Sequence, residues 1–178
     1  MKRLLLFLPL VFAVAIGVFL FAGIGKDPTK LESALIGKPV PRFELQDLHA
    51  PERMLDNSVF EGQVSLLNVW GEWCPACWDE HGYLMHLAQY EGVRIVGLNY
   101  KDQRETAFSF LRKLGDPYET VIYDPRGSLG FDLGVYGAPE TYVIDAEGIV
   151  RYRHVGVVNE RVWREILLPV VNQAKGNS

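Results

Sequence analysis

Cysteine is scarce in this chain. There are two among 178 residues, Cys74 and Cys77, and they stand in one short stretch, "GEWCPACWDE" (71–80). A framework of several disulfides is excluded, so the fold must rest on its apolar core. Clusters of positive charge are missing as well. Lys and Arg number 18 against 22 Asp and Glu, giving a formal net charge of −4, and no basic cluster stands anywhere along the chain. Nucleic-acid binding needs a patch that neutralises phosphates, so no nucleic-acid partner is expected. Internal repeats and low-complexity segments are absent too, leaving one globular domain of ordinary composition as the frame.

One long hydrophobic run is present. After Lys2 and Arg3, residues Leu4 to Ile24 carry no charge for 21 positions. As a helix this run would cover roughly 31 Å, about the hydrocarbon thickness of a bilayer. A cleaved signal peptide has a shorter apolar region, usually about 7–15 residues, and ends in a small-x-small site. The one such site near the end of this run is Gly23-Ile24-Gly25, without alanine. The favoured reading is an uncleaved membrane anchor at 1–25, with the basic pair in the cytoplasm and the rest exported. Residues 26–36 then read as a tether and 37–176 as the folded domain, acidic throughout, whose partners are proteins or small molecules.

The pattern along that domain is strand and helix in alternation. "GKPVPRFELQDL" (37–48) reads as an edge strand, its prolines suiting an edge, and 49–62 reads as loop. "VSLLNVW" (64–70) and "VRIVGLNY" (93–100) are compact apolar runs of the kind buried on both faces. Between them Pro75 to Tyr90 is a helix, with Pro75 in the tolerated first turn and Tyr83, Leu84, Leu87 and Tyr90 on the inner face. Asp102 and Glu105 have the spacing of a capping box opening a second helix, with Phe108, Leu111 and Leu114 inward. "ETVIYD" (119–124) is a third strand, 141–155 a hairpin and 159–173 a final helix. Helical connections imply parallel strands and the hairpin adds antiparallel ones, so the fold class is α/β, a mixed sheet with helices on both faces.

Three uses compete for the cysteines. Zinc needs four ligands, or three and an open position; Cys74, Cys77 and His81 supply three, and nothing nearby offers a fourth. A structural staple closing so small a loop removes little entropy from the unfolded chain. A working dithiol has the better logic. Cys74 falls where a buried strand ends and a helix begins, so free N–H groups and the positive end of the helix dipole stabilise a thiolate there. Cys77, one turn on, can attack the mixed disulfide that Cys74 forms.

"NVWGEWCPAC" (68–77) resembles the active-site strand and turn of the thioredoxin superfamily, and "GVYGAPETYVID" (134–145) resembles its second signature, a cis-proline loop facing the cysteines. That resemblance implies a cis Ala138–Pro139 bond beside the dithiol, where a peptide can pair as an added strand. The anchor, "GKPVPRFELQDL", "WCPAC", Glu80-His81, "GAPETYVID" and "GIVRYRHVG" (148–156) together resemble the cytochrome c biogenesis thiol:disulfide interchange proteins of the CcmG/DsbE type. The likeness covers nearly the whole chain. It implies a thioredoxin-like domain with an N-terminal extension and a central insert at 101–126 that helps to shape a partner groove. It also implies a single-pass protein of the bacterial inner membrane with its catalytic domain in the periplasm, acting as a monomer. Its role would be a reductant for apocytochrome c cysteines, directly or through an associated maturation thiol protein, and it would be re-reduced by a membrane thiol–disulfide electron donor. No cofactor is implied beyond the Cys74–Cys77 pair, and no metal.

Two positions depart from the superfamily pattern. Thioredoxins carry a buried acid where this chain has Asn68, and an amide cannot take a proton; Glu140 and Glu72 are the candidates to tune the dithiol instead, Glu140 because its slot adjoins the cysteines. Gly82 stands where a helix-kinking proline is common. Trp73 is expected to be an exposed contact for the partner, with Pro75, Ala138 and Pro139 lining the same groove. Trp70, Tyr142 and Phe131 are expected in the core, and His81 as a hydrogen-bonded helix residue. Two other functions stay open: a broader reductase of exported protein thiols, and a peroxidase of the redoxin type, which would need a P-x-x-x-[TS]-x-x-C loop that "VWGEWCPAC" does not provide.

Overall fold

The computed structural model describes residues 33–176, together with Phe12, Ile16 and Gly17, which are helical. The rest of the expected anchor and the first part of the tether lie outside the described residues; among those described, no helix is long and apolar enough to cross a membrane.

Ser65–Trp70 forms a strand, β3, in which all six residues are buried, so it has to lie inside a sheet covered on both faces. Before it come β1 (Leu45–Asp47), β2 (Met54–Leu55) and a 3-10 turn (Asn57–Phe60). After it come α1 (Pro75–Tyr90), β4 (Ile95–Tyr100), α2 (Arg104–Leu114), β5 (Thr120–Asp124) and α3 (Ser128–Leu133). The hairpin of β6 (Glu140–Ile144) and β7 (Val150–Val155) follows. The last helix, α4, begins as Glu160–Val162, passes through a π-helical turn at Trp163–Leu167 and ends as Leu168–Gly176.

These strands make one seven-stranded mixed sheet in the order β2-β1-β5-β4-β3-β6-β7. β3, β4 and β5 are parallel neighbours because helices carry the chain back between them, whereas β6 runs antiparallel to β3 and β7 to β6. On one face Leu66 and Trp70 of β3 pack with Leu84 and Leu87 of α1, Phe110 of α2, and Trp163 and Leu167 of α4. On the other face Leu67 and Val69 pack with Phe60, Leu129 and Leu133 of α3, and Tyr142. Each fully buried Leu, Val or Phe contributes about 1.5–3 kcal/mol against its exposed state.

Several expectations need correction. The segment read as a loop, 49–62, supplies β2 and the 3-10 turn, and β2 is the edge, so β1 lies between it and β5. Residues 33–40, partly assigned to the tether, are folded onto the domain: the Gly37 and Val40 N–H groups donate to the Val150 and Gly148 carbonyls at 2.8 and 3.0 Å. The inner face of α1 is Cys77, Glu80, His81, Leu84 and Leu87, with Tyr90 exposed; a polar pair interrupts the expected hydrophobic stripe. α2 is capped at Gln103 without a side-chain bond, so Asp102 and Glu105 make no capping box, and its buried residues are Ala107, Phe110 and Leu111.

α3 was not foreseen, and Phe131 on it is 80% exposed instead of buried. The reason for this helix is Asp124 at the end of β5. Its buried carboxylate accepts from Ser128 N–H at 2.8 Å, Ser128 Oγ at 3.0 Å and Gly130 N–H at 3.0 Å, satisfying donors that open the helix. Asp124→Ala is expected to lower the unfolding free energy by about 2–3 kcal/mol through these lost charge-assisted bonds, measured by denaturant titration of the oxidised protein.

Candidate active site

Cys74 stands at the N-cap of α1, directly beyond the C-terminal end of β3, and is bonded to Cys77 with the Cα atoms 5.3 Å apart. The Cys77 N–H donates to Cys74 Sγ at 3.1 Å, so the sulfur already sits among the free donors that would stabilise its thiolate in the reduced protein. Both cysteines are 2% exposed, while Trp73 and Pro75 on either side of Cys74 are exposed.

The turn that presents them is tied at three points. Asp102, one of the first residues after β4, accepts from the Glu72 N–H at 2.7 Å and from Asn99 Nδ2 at 3.0 Å. Trp73 donates its indole N–H to the Tyr100 carbonyl at 3.0 Å, and Trp78 donates to the Glu72 carbonyl at 2.9 Å. Trp73 therefore lies across the sheet end while still 47% exposed, leaving an apolar surface next to Cys74 in the chain. Gly71 allows this, since a Cβ there would stand 2.4 Å from the Trp73 indole nitrogen.

The Ala138–Pro139 bond is cis, and Pro139 immediately precedes β6, whose first residue Glu140 pairs with Val69 next to the end of β3. That register brings the proline loop to the same end of the sheet as Cys74. The side chain of Glu140, however, goes to the other face. It shares a face with Tyr142, accepts the Tyr142 hydroxyl at 2.9 Å and the Tyr136 N–H at 3.2 Å, and pairs with Arg153 at 2.8 Å. Adjacency in sequence to Pro139 places its backbone near the dithiol and its carboxylate in an ion pair with Arg153. Glu72 is fixed to the turn through its backbone.

The acid on the cysteine side is Glu80, which in the sequence carries only the Glu80-His81 part of the family resemblance. It follows Cys77 by three residues on the buried face of α1, the spacing that sets side chains over one another. Its Oε1 accepts from Asn68 Nδ2 at 2.8 Å and its Oε2 from the Val158 N–H at 2.8 Å. Burial pushes its pKa up from 4.5 to about 7, with the two hydrogen bonds opposing. The signal for it was present in the period: Cys77, Glu80, His81 and Leu84 fall at i, i+3, i+4 and i+7, one stripe of a helix. Asn68 thus does not replace the buried acid; it holds the one that the helix supplies. His81 Nε2 is hydrogen-bonded to the Gly115 carbonyl at 2.9 Å, and burial pushes its pKa down. Among the described residues no group of His, Cys, Asp and Glu is arranged to hold a metal.

A buried redox-active C-x-x-C at a helix start, a cis-proline at the same end of the sheet and a mixed sheet flanked by helices define a thiol:disulfide oxidoreductase of thioredoxin-like fold. The redoxin family profile matches residues 35–167. The "Thiol:disulfide interchange protein DsbE" of Vibrio cholerae is 54% identical over 175 residues, covering 96% of this chain and 95% of that one. The protein of the same name from Pseudomonas aeruginosa is 51% identical over 173 residues, covering 97% and 96%. Among solved structures, a putative thiol:disulfide interchange protein DsbE from Chlorobium tepidum superposes with a TM-score of 0.64 at 27% identity, covering 78% of this chain and 96% of that one. The chain belongs to the redoxin family, in its DsbE group of thiol:disulfide interchange proteins.

Glu80 also makes a stability prediction. Its folded pKa lies above its unfolded value, so its contribution to stability is complete below pH 4.5 and is lost as pH rises through about 7. The stability of Glu80→Gln relative to the parent protein should therefore rise between pH 4 and pH 9, by about 3 kcal/mol in total, in chemical denaturation of the oxidised forms. A relative stability that stays flat over this range would show that Glu80 titrates alike in the folded and unfolded protein.

Proposed function

We propose that the chain is a periplasmic reductant, tethered to the bacterial inner membrane by its N-terminal segment, that reduces the cysteines of apocytochrome c during cytochrome c maturation. It acts as a monomer on the apoprotein itself or on an associated thiol protein, and a membrane thiol–disulfide donor restores it. The observation that carries the reading is the Cys74–Cys77 disulfide at the start of α1 with Glu80 behind it. The motifs that resemble the CcmG/DsbE type, the uncharged run at 4–24 and the length shared with DsbE proteins support the finer assignment.

In the reduced protein the Cys74 thiolate attacks one sulfur of the partner disulfide, forming a mixed disulfide and releasing the partner's other sulfur as a thiolate. Glu80, as carboxylate, takes the proton from Cys77 Sγ. The Cys77 thiolate attacks Cys74 Sγ, the second partner thiolate leaves, and two electrons have passed to the partner. The peptide lies against Trp73, Pro75, Ala138 and Pro139, with exposed Tyr136 close by in the cis-proline loop.

The reduction potential of the full-length protein, equilibrated against dithiothreitol or glutathione buffers, tests the direction of flow. Related folds span roughly −270 to −120 mV. A value in the more reducing half is expected; a value near −120 mV would make the protein an oxidant and end the reading. Cells lacking the protein should lose holocytochrome c, and normal holocytochrome levels would point to a different substrate. A Cys77→Ser variant should accumulate the mixed disulfide through Cys74, visible as a shifted band on non-reducing gels.

A further inference from the structure

The register of three strands places Gly97, Asn68 and Thr141 side by side across β4, β3 and β6, facing α1. The fully buried Asn68 amide in the middle has two unlike ends, and their partners differ. Nδ2 donates to Glu80 Oε1 at 2.8 Å and to Thr141 Oγ1 at 3.2 Å, while Oδ1 accepts from the Tyr118 hydroxyl at 2.9 Å. Tyr118 comes from the segment between α2 and β5. Its ring stacks on Trp70 with centroids 5.4 Å apart and planes at 12°, and its N–H donates to Asp116 Oδ1 at 2.9 Å. Gly97 leaves room for that ring: a Cβ there would stand 3.0 Å from Tyr118 Cγ and 2.9 Å from Trp70 Nε1. The sheet has therefore given up a side chain at the position that lets a tyrosine hydroxyl reach Asn68.

We propose that Tyr118 is a positioning residue for the thiol–disulfide step: its hydroxyl sets which way the Asn68 amide faces, and that orientation holds Glu80 as a proton acceptor. The proposal rests on the reading that Glu80 takes the Cys77 proton. Two donors, Asn68 Nδ2 and the Val158 N–H, point at Glu80, and both favour the ionised carboxylate. The amide can also turn over. Oδ1 would then face Glu80 and Thr141, accepting from a protonated Glu80 and from the Thr141 hydroxyl, and the network would favour the carboxylic acid. The Tyr118 hydroxyl favours the first state: there it donates to Oδ1, whereas in the second it could only accept from Nδ2 and its own buried proton would have no acceptor among the described residues. Burial raises its own pKa well above 10, so it remains a donor wherever the protein is folded.

The other titratable groups around Glu80 are accounted for. Its own helix contributes Cys77 and His81, and the Tyr118 segment contributes Asp116. β7 contributes His154, paired with Thr141, whose Nε2 is buried without a partner and whose pKa burial pushes down. The 156–159 segment offers the Val158 N–H and no charged side chain. β4 offers Gly97.

The test is a carboxyl carbon-13 NMR titration of Glu80 in the oxidised full-length protein, where the cysteines carry no proton, compared with Tyr118→Phe. Phenylalanine keeps the stack on Trp70 and removes the hydroxyl alone. The Glu80 midpoint should move up by about one unit, the order of one lost hydrogen bond that favoured the ionised form. An unmoved midpoint would overturn the proposal. The pH profile for resolution of the mixed disulfide, run in parallel with Glu80→Gln, separates this result from the reading beneath it. If Glu80→Gln removes the step near pH 7 and Tyr118→Phe leaves it in place, the amide lock is wrong and the role of Glu80 stands. If the NMR midpoint moves while the kinetic profile ignores both variants, the lock stands and Glu80 is not the acceptor for Cys77.

Discussion

A carboxylate taken out of water has to be held on every side, and Glu80 is held by parts of the chain that lie far apart in sequence. Asn68 reaches it from the central strand and the Val158 N–H from the segment entering the last helix, while its own backbone belongs to the helix that Cys74 caps. Those contacts fix α1 in rotation and in height against the sheet. Because Cys77 sits one turn before Glu80 on the same stripe, fixing the acid also fixes Cys77. The cost is a charge that the interior resists, seen in its rise to about pH 7. A group poised there can hold or release a proton under ordinary conditions, which a thiol exchange requires.

The presenting turn obeys a second constraint. Its backbone has to reverse direction between β3 and α1 while keeping Trp73 outward, and it does so by borrowing partners from the end of β4. The Tyr100 carbonyl ends the adjacent parallel strand and Asp102 follows it, so the active-site turn and the start of the insert are one hydrogen-bonded unit. The insert thereby touches the chemistry twice, through Asp102 at the turn and through Tyr118 at the buried amide. On the opposite face, Glu140 and Arg153 form a separate buried pair that stiffens the strand after the cis-proline. The two faces of β6 thus carry different duties: Glu140 braces the proline loop, and Thr141 joins the network under the dithiol.

Much of this was legible in the chain. β3 and β4 announce themselves as uninterrupted apolar runs, and a cysteine pair between such a strand and a helix start has few other uses. Elements set by local signals, α1 and the hairpin, fall where periodicity and turn residues place them. What failed to show were features with no local signal. β2 has two residues and exists only because β1 offers it an edge. α3 depends on a carboxylate four residues upstream, outside the usual cap position. Phe131 looks like core by composition and is surface because α3 turns it outward. Asp102 has the spacing of a capping box, yet its carboxylate is drawn to the Glu72 N–H across the strand end.

The sequence by itself determined that a dithiol works at the start of a helix in a mixed α/β sheet, because that follows from hydrophobic period and from two cysteines with nothing else to bind. Only the tertiary structure decided which acid lies buried on the cysteine side of the sheet. Glu140 and Glu80 are both carboxylates near the cysteines along the chain or around the fold, and strand alternation sends one away to Arg153 while the helical period brings the other beneath Cys77. The choice between them is made by contacts from residues 12 and 78 positions distant, which no local pattern records.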